Sequence, residues 1–129
     1  MGKSQPSQAQ RRDAIVARDG ARCVWCSAPF TSNNPPTTEH LIARAKGGPS
    51  WAENEVAACR QCNRERGHAS PVQWLDELKA RGREPQDALI AAALTRLAER
   101  IAHDGGAWRI RRTLAAELRK LALTPPFRC

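Results

Sequence analysis

The sequence predicts an α+β protein: a small cysteine-stapled finger of two strands and a helix, with one helix before it and a helical extension after it. Three observations predict this class. Two C-x-x-C pairs, "CVWC" at Cys23–Cys26 and "CRQC" at Cys59–Cys62, bracket a segment with strand-type residues and a Gly-Gly-Pro break. Beyond Ser70 the apolar residues recur at helical steps rather than in alternation. The chain has 129 residues with few aromatics, four Trp, two Phe and no Tyr, so it holds one domain or one domain with an appendage.

Each element follows from local signals. "QAQRRDAIVAR", residues 8–18, reads as a short helix stopped by Asp19-Gly20. The first cysteine pair follows, then the polar, proline-bearing loop Ser32 to Pro36. "TTEHLIA", residues 37–43, reads as a strand, separated from "WAENEVAAC" by Gly47-Gly48-Pro49. The second pair opens a short helix, "CRQCNRER", ended by Gly67. Ser70 followed by Pro71 is a cap and first-turn signal for a helix through Ala80, with Val72, Leu75 and Leu78 as its buried stripe. Pro85 starts another helix, whose stripe is Leu89, Ala93, Leu97 and Ile101. After Gly105-Gly106 a last helix buries Ile110, Leu114, Leu118 and Leu121, and its other faces carry Arg109, Arg112, Arg119 and Lys120. This divides the chain into a finger with its leading helix, residues 1–70, and a helical extension, residues 71–129.

Charge narrows the partner. The net charge is +8 and the isoelectric point about 10.1, which favours a polyanion such as nucleic acid over a merely solubilising surface. The excess lies at the ends of the chain, +3 over residues 1–26 and +5 over residues 105–129, while the middle is nearly balanced. No apolar run approaches the roughly 20 residues that span a bilayer. The start lacks the apolar segment of a secretion signal, and an intracellular, cytoplasmic protein without membrane partners is expected.

In such a setting the two cysteine pairs read as ligands of one structural zinc, Cys23, Cys26, Cys59 and Cys62, in preference to disulfides or buried thiols. Cys129 falls outside the pattern and is expected as a free thiol. Metal would supply folding free energy that so short a segment cannot gain from apolar burial alone. The pairs also bring the helix carrying Asn63 against the strand carrying Glu39 and His40. One acidic oxygen and one amide oxygen could then converge. Such a hard set, with most positions open, suits Mg2+ or Mn2+. A neutral histidine beside that ion can take a proton from water.

With these motifs in place the sequence resembles the HNH nucleases, which have a ββα-metal fold and here a four-cysteine zinc site. The likeness covers residues 19–67, in "DGARCVWC", "TTEHLIARAKGG", "ENEVAACRQCN" and "RERG". The steps of fourteen residues from His40 to Asn54 and nine from Asn54 to Asn63 suit the family. The resemblance implies DNA cleavage or nicking that leaves 5′-phosphate and 3′-hydroxyl ends. His40 would be the general base, Glu39 and Asn63 the ligands of one catalytic Mg2+ or Mn2+, and Asn54 the anchor that orients His40. Glu39 stands where Asp is commoner, and Asn63 where His is often found. Arg66 would contact phosphate. Arg64, Arg44 and Lys46 are further candidate DNA contacts, as are Arg109, Arg112 and Arg119 on the last helix, whose basic face could equally be a solvated one. His68 is expected in solvent. Two rivals stay open: a non-catalytic zinc-finger module that only binds nucleic acid, and an adaptor that uses the zinc site as a scaffold. Both predict that Glu39, His40 and Asn63 do not converge.

Overall fold

The computed structural model describes residues 5–128, so Cys129 and the expectation of a free thiol there lie outside the described residues. The architecture is α+β, with five α-helices and one two-stranded antiparallel sheet among the described residues.

Helix α1, Gln8–Asp19, starts at a reciprocal cap: Gln10 N–H donates to Ser7 Oγ (3.1 Å) and Ser7 N–H to Gln10 Oε1 (2.7 Å). It ends at Gly20, whose φ of +101° suits glycine. The helix lies on both strands and buries Ile15. Arg18 pins it there by donating to the carbonyls of Ala52 (2.9 Å) and Glu55 (2.7 Å).

Strand β1, Pro36–His40, pairs with β2, Glu55–Cys59, so that Pro36 faces Cys59 and His40 faces Glu55. The strand expected over residues 37–43 therefore ends three residues early. The cause is Asn54, buried completely in a short 3-10 turn before β2. Its side chain accepts from Ile42 N–H (2.8 Å) and donates to Ile42 O (3.0 Å) and Pro49 O (2.9 Å), while its own carbonyl accepts from Leu41 N–H (2.7 Å). Backbone groups that would extend the ladder are thus taken by one amide, and the chain turns. Gly48 completes this packing, because a Cβ there would lie 1.8 Å from the Ile42 carbonyl oxygen.

Helix α2, Arg60–Arg66, begins at Cys59 and ends at Gly67 (φ +57°). Helix α3, Pro71–Ala80, has the Ser70–Gln73 reciprocal cap and Pro71 in its first turn. Val72 is only half-buried there and Trp74 joins Leu75 and Leu78 in the core. Helix α4, Asp87–Asp104, starts two residues later than Pro85 suggests, because Gln86 is committed to the finger: its N–H donates to Trp25 O (3.0 Å) and its amide to Cys23 O (2.7 Å). Its buried face is wider than a single stripe, with Ile90, Leu94 and Ala98 beside Ala93, Leu97 and Ile101, while Leu89 is only partly covered. The width follows from packing on two sides, against the finger's Ala52–Asn54 turn and against α5, Trp108–Lys120. Helix α5 buries Ile110, Leu114 and Leu118, with Leu121 partly covered.

One apolar cluster runs from Cys23, Val24 and Trp25 through Leu41 and Val56 to Leu97 and Leu118. No packing boundary falls at residue 70. The ion pair Arg100–Glu53 (2.6 Å), with the same guanidinium 4.1 Å over the Trp51 ring, ties α4 to the finger from outside the core. No helix among the described residues is long and apolar enough to cross a membrane.

Candidate functional site

The four cysteines gather at one corner of the hairpin. Their sulfur atoms all lie within 4.8 Å of one another, and Cys26 Sγ and Cys59 Sγ are 3.9 Å apart. Four thiolates at tetrahedral zinc distance would stand about 3.8 Å apart, so the cage fits zinc. All four are free of disulfides. Trp25 N–H points at Cys23 Sγ and Cys62 N–H at Cys59 Sγ (3.4 Å each), as suits sulfurs that carry negative charge. The thiols compete for that charge. The hydrogen bond from Cys23 is the main cause pulling Cys26 down, and Cys23 is pushed up in return. A central cation would let all four ionise together.

The same cage sets the position of the adjacent Glu39 and His40. A cavity of about 520 Å³ opens between the end of β1, the turn at Arg44–Lys46 and the end of α2. Glu39, His40, Asn63, Arg44, Arg66 and His68 all line it. Because β1 stops at His40, neighbouring side chains that would point to opposite faces of a longer strand border one space.

Glu39 is buried. One carboxylate oxygen, Oε2, accepts from the indole N–H of Trp25, which is itself fully buried. The other, Oε1, is buried without a hydrogen-bond partner and lies 3.3 Å from Arg66 Nη1. Burial pushes the carboxyl above its ordinary range, with Arg66 and Trp25 opposing. Glu39 as a residue lines the cavity, and a carboxylate there is a fitting ligand for a cation. Asn63 uses its amide NH2 on Thr37 Oγ1 (2.9 Å), which leaves the oxygen end for a ligand. The donor set of one carboxylate and one amide therefore fits a hard divalent ion with open positions. The cysteine cage is the cluster of three or more Cys, His, Asp or Glu ligands among the described residues, so the cavity itself is ligand-poor.

His40 is half-buried, with Nε2 buried and unpartnered. Burial pushes its pKa below the ordinary histidine value. Glu55 across the sheet opposes this, and Arg44, Arg11 and Arg66 reinforce it. The ring is accordingly neutral at neutral pH, the form that accepts a proton.

Arg66 departs from expectation. The guanidinium is buried, donating to the carbonyls of His40 (2.8 Å), Leu41 (2.6 Å) and Ala69 (3.0 Å), and it stacks 4.6 Å from the Trp25 ring centroid. Its donors are spent on the chain, because the strand end leaves carbonyls that nothing else satisfies. It is a strut of the site rather than an exposed phosphate contact. Asn54 lies outside the cavity and anchors the loop beneath it. Arg44 is exposed at the cavity and also bonds Ser50 Oγ (3.2 Å), and His68 is exposed at its rim. Arg64 is exposed on α2 but does not line the cavity. Lys46 is half-buried, with its carbonyl accepting from Thr113 Oγ1 (3.4 Å). Arg109 and Arg112 are exposed on α5, and Arg119 borders a separate groove with Leu123 and Phe127. Sequence reasoning missed Trp25 as the partner of Glu39. The available signal was a tryptophan standing between Cys23 and Cys26.

Two comparisons with known proteins give matches. Residues 23–78 match a family model described as HNH endonuclease. The chain is 29% identical over 89 residues to the CRISPR-associated endonuclease Cas9 of Corynebacterium diphtheriae. That stretch covers 67% of this chain and 8% of the relative, so the chain corresponds to a small part of that protein. No solved structure matches. Over residues 23–78 the chain is similar to the HNH endonuclease family.

Proposed function

We propose that this protein is a metal-dependent endonuclease that hydrolyses DNA phosphodiester bonds in the cavity between β1 and α2. The observation that carries the reading is that Glu39, His40 and Asn63, from two elements, border one space. A binding module or scaffold has no need of that convergence. The family match and the similarity to an enzyme named as an endonuclease support the same class.

In this reading Glu39 and Asn63 would hold one Mg2+ or Mn2+ through a carboxylate and an amide oxygen. When bound, that ion supplies charge stabilisation for the scissile phosphate and the leaving 3′ oxygen. His40, neutral because it is buried among cations, takes a proton from the attacking water. Trp25 fixes the Glu39 carboxylate from behind, and Arg66 holds the carbonyls on either side of the turn, so neither group reorganises as substrate enters. Asn54 clamps the loop that follows His40. Cys23, Cys26, Cys59 and Cys62 hold a structural zinc, with no open position for substrate. Exposed Arg44 and Arg64 add attraction for the DNA backbone.

Supercoiled plasmid incubated with purified protein and Mg2+, Mn2+ or no added divalent ion tests the reading. Relaxed or linear product should form in at least one metal arm and not without added metal. Intact plasmid in every arm, with DNA bound, would favour the binding module.

A further inference from the structure

Of the four tryptophans, Trp25 and Trp74 are buried and Trp51 is half-covered beneath Arg100. Trp108 is 57% exposed at the first position of α5. It lies off the apolar stripe Ile110, Leu114, Leu118, so neither the helix nor the core uses its ring. What surrounds it is cationic. Arg112, one turn on, holds its guanidinium 5.1 Å from the ring centroid, and Arg109 is exposed beside it. The single acid of α5, Glu117, is buried and consumed by Val72 N–H (2.9 Å) and Lys120 (3.1 Å), which leaves the outer face of the helix basic.

This surface adjoins the cavity. A Cβ at Gly47 would stand 3.3 Å from Ile110 N and 3.4 Å from Arg109 Cγ, and Thr113 bonds the Lys46 carbonyl. Arg44 and Ala45 of that same turn line the cavity. The start of α5 is therefore packed against the turn that forms the rim.

We propose that Trp108, with Arg109 and Arg112, is a shelf on which an unpaired base stacks as a single strand runs from the cavity over the Arg44–Lys46 turn. An exposed ring with the Arg112 guanidinium over one face leaves the other to the π-face of a base, and exposed Arg109 on the same turn suits the phosphates. Bases in a duplex are already stacked on each other and offer no free face, so the shelf selects single-stranded DNA over duplex. The inference rests on the cavity being the phosphodiester site.

The zinc-loaded 129-residue chain is titrated without added divalent ion, using an oligothymidylate and a duplex of equal length, with intrinsic fluorescence as the readout. Single strands should quench the emission. Trp108→Ala should remove that quenching and weaken single-strand binding by about 5- to 160-fold, the range of one lost stacking contact. It should leave duplex binding within a few-fold, and Trp108→Phe should restore most of the affinity. Thermal melting checks that the exposed substitution leaves the fold intact. Wild-type affinity of Trp108→Ala for single strands would overturn the shelf, as would an equal loss on both ligands. Metal-dependent plasmid cleavage alongside either result would leave the active-site reading standing. Conversely, selective loss on single strands in a protein that never cuts would keep the shelf and remove the nuclease.

Discussion

At the scale of single residues, burial decides which charged groups act on substrate and which hold the site. Arg66 was legible as a basic residue on a short helix, but its partner Trp25 lies far away in sequence, and no spacing rule couples them. Its phosphate role is an expectation from position alone; in the structure its donors are bonded to the carbonyls of His40, Leu41 and Ala69. Truncating a buried, fully paired charge leaves Glu39 and three carbonyls uncompensated, so Arg66→Ala should destabilise the protein by about 3–5 kcal/mol. Denaturant unfolding measures this. A variant that unfolds like the wild type and only binds DNA more weakly would return Arg66 to the phosphate. His40 allows a second test. Its pKa is lowered by burial, so the folded protein keeps the neutral base until the pH falls below the ordinary histidine range. The acid limb of cleavage should therefore have its midpoint below pH 6.5, with zinc content followed in parallel. An acid limb with its midpoint at or above pH 6.5 would contradict the assignment.

At the scale of elements, the caps and breaks were read correctly wherever the signal is local. Ser70-Pro71, Gly20 and Gly67 stop or start helices through their own backbone and side-chain chemistry. The end of β1 was misplaced because Asn54, fourteen residues on, takes the hydrogen bonds that would have prolonged it. The start of α4 was misplaced because Gln86 is bonded to the cysteine knuckle. Both misses arise from tertiary partners. The cysteine cage was legible because two C-x-x-C pairs constrain a single geometry. Purified protein should hold about one zinc per chain. Cys59→Ser should lose it and unfold the finger, since Cys59 is both a ligand and the cap of α2. Well-folded protein without zinc, by metal analysis, would contradict the cage.

For the whole molecule, the sequence suggested a finger and an appended helical region, while the packing joins them. The α+β class and the helix count of the extension followed from periodicity. The shared core did not, because periodicity shows that a face is apolar but not what covers it. Trp25 illustrates the consequence: its indole serves Glu39, its carbonyl accepts from Gln86, and its ring belongs to the core that α4 completes. A chain truncated after residue 70 would lose the Gln86 bonds to Trp25 and Cys23 and the packing of α4 on the Ala52–Asn54 turn, and should fail to give a cooperative melt even with zinc supplied. A sharp unfolding transition from that fragment would show the extension to be separable.

The central claim is that the cavity bordered by Glu39, His40 and Asn63 hydrolyses phosphodiester bonds with His40 as the proton acceptor. Its most direct test is the plasmid-cleavage rate of His40→Ala beside the wild type, at saturating Mg2+ or Mn2+ and with zinc content, melting temperature and DNA affinity measured on both. The variant should retain all three properties and cleave about 10²–10⁴-fold more slowly, the loss expected for a missing general base. Cleavage by His40→Ala at the wild-type rate would contradict the claim.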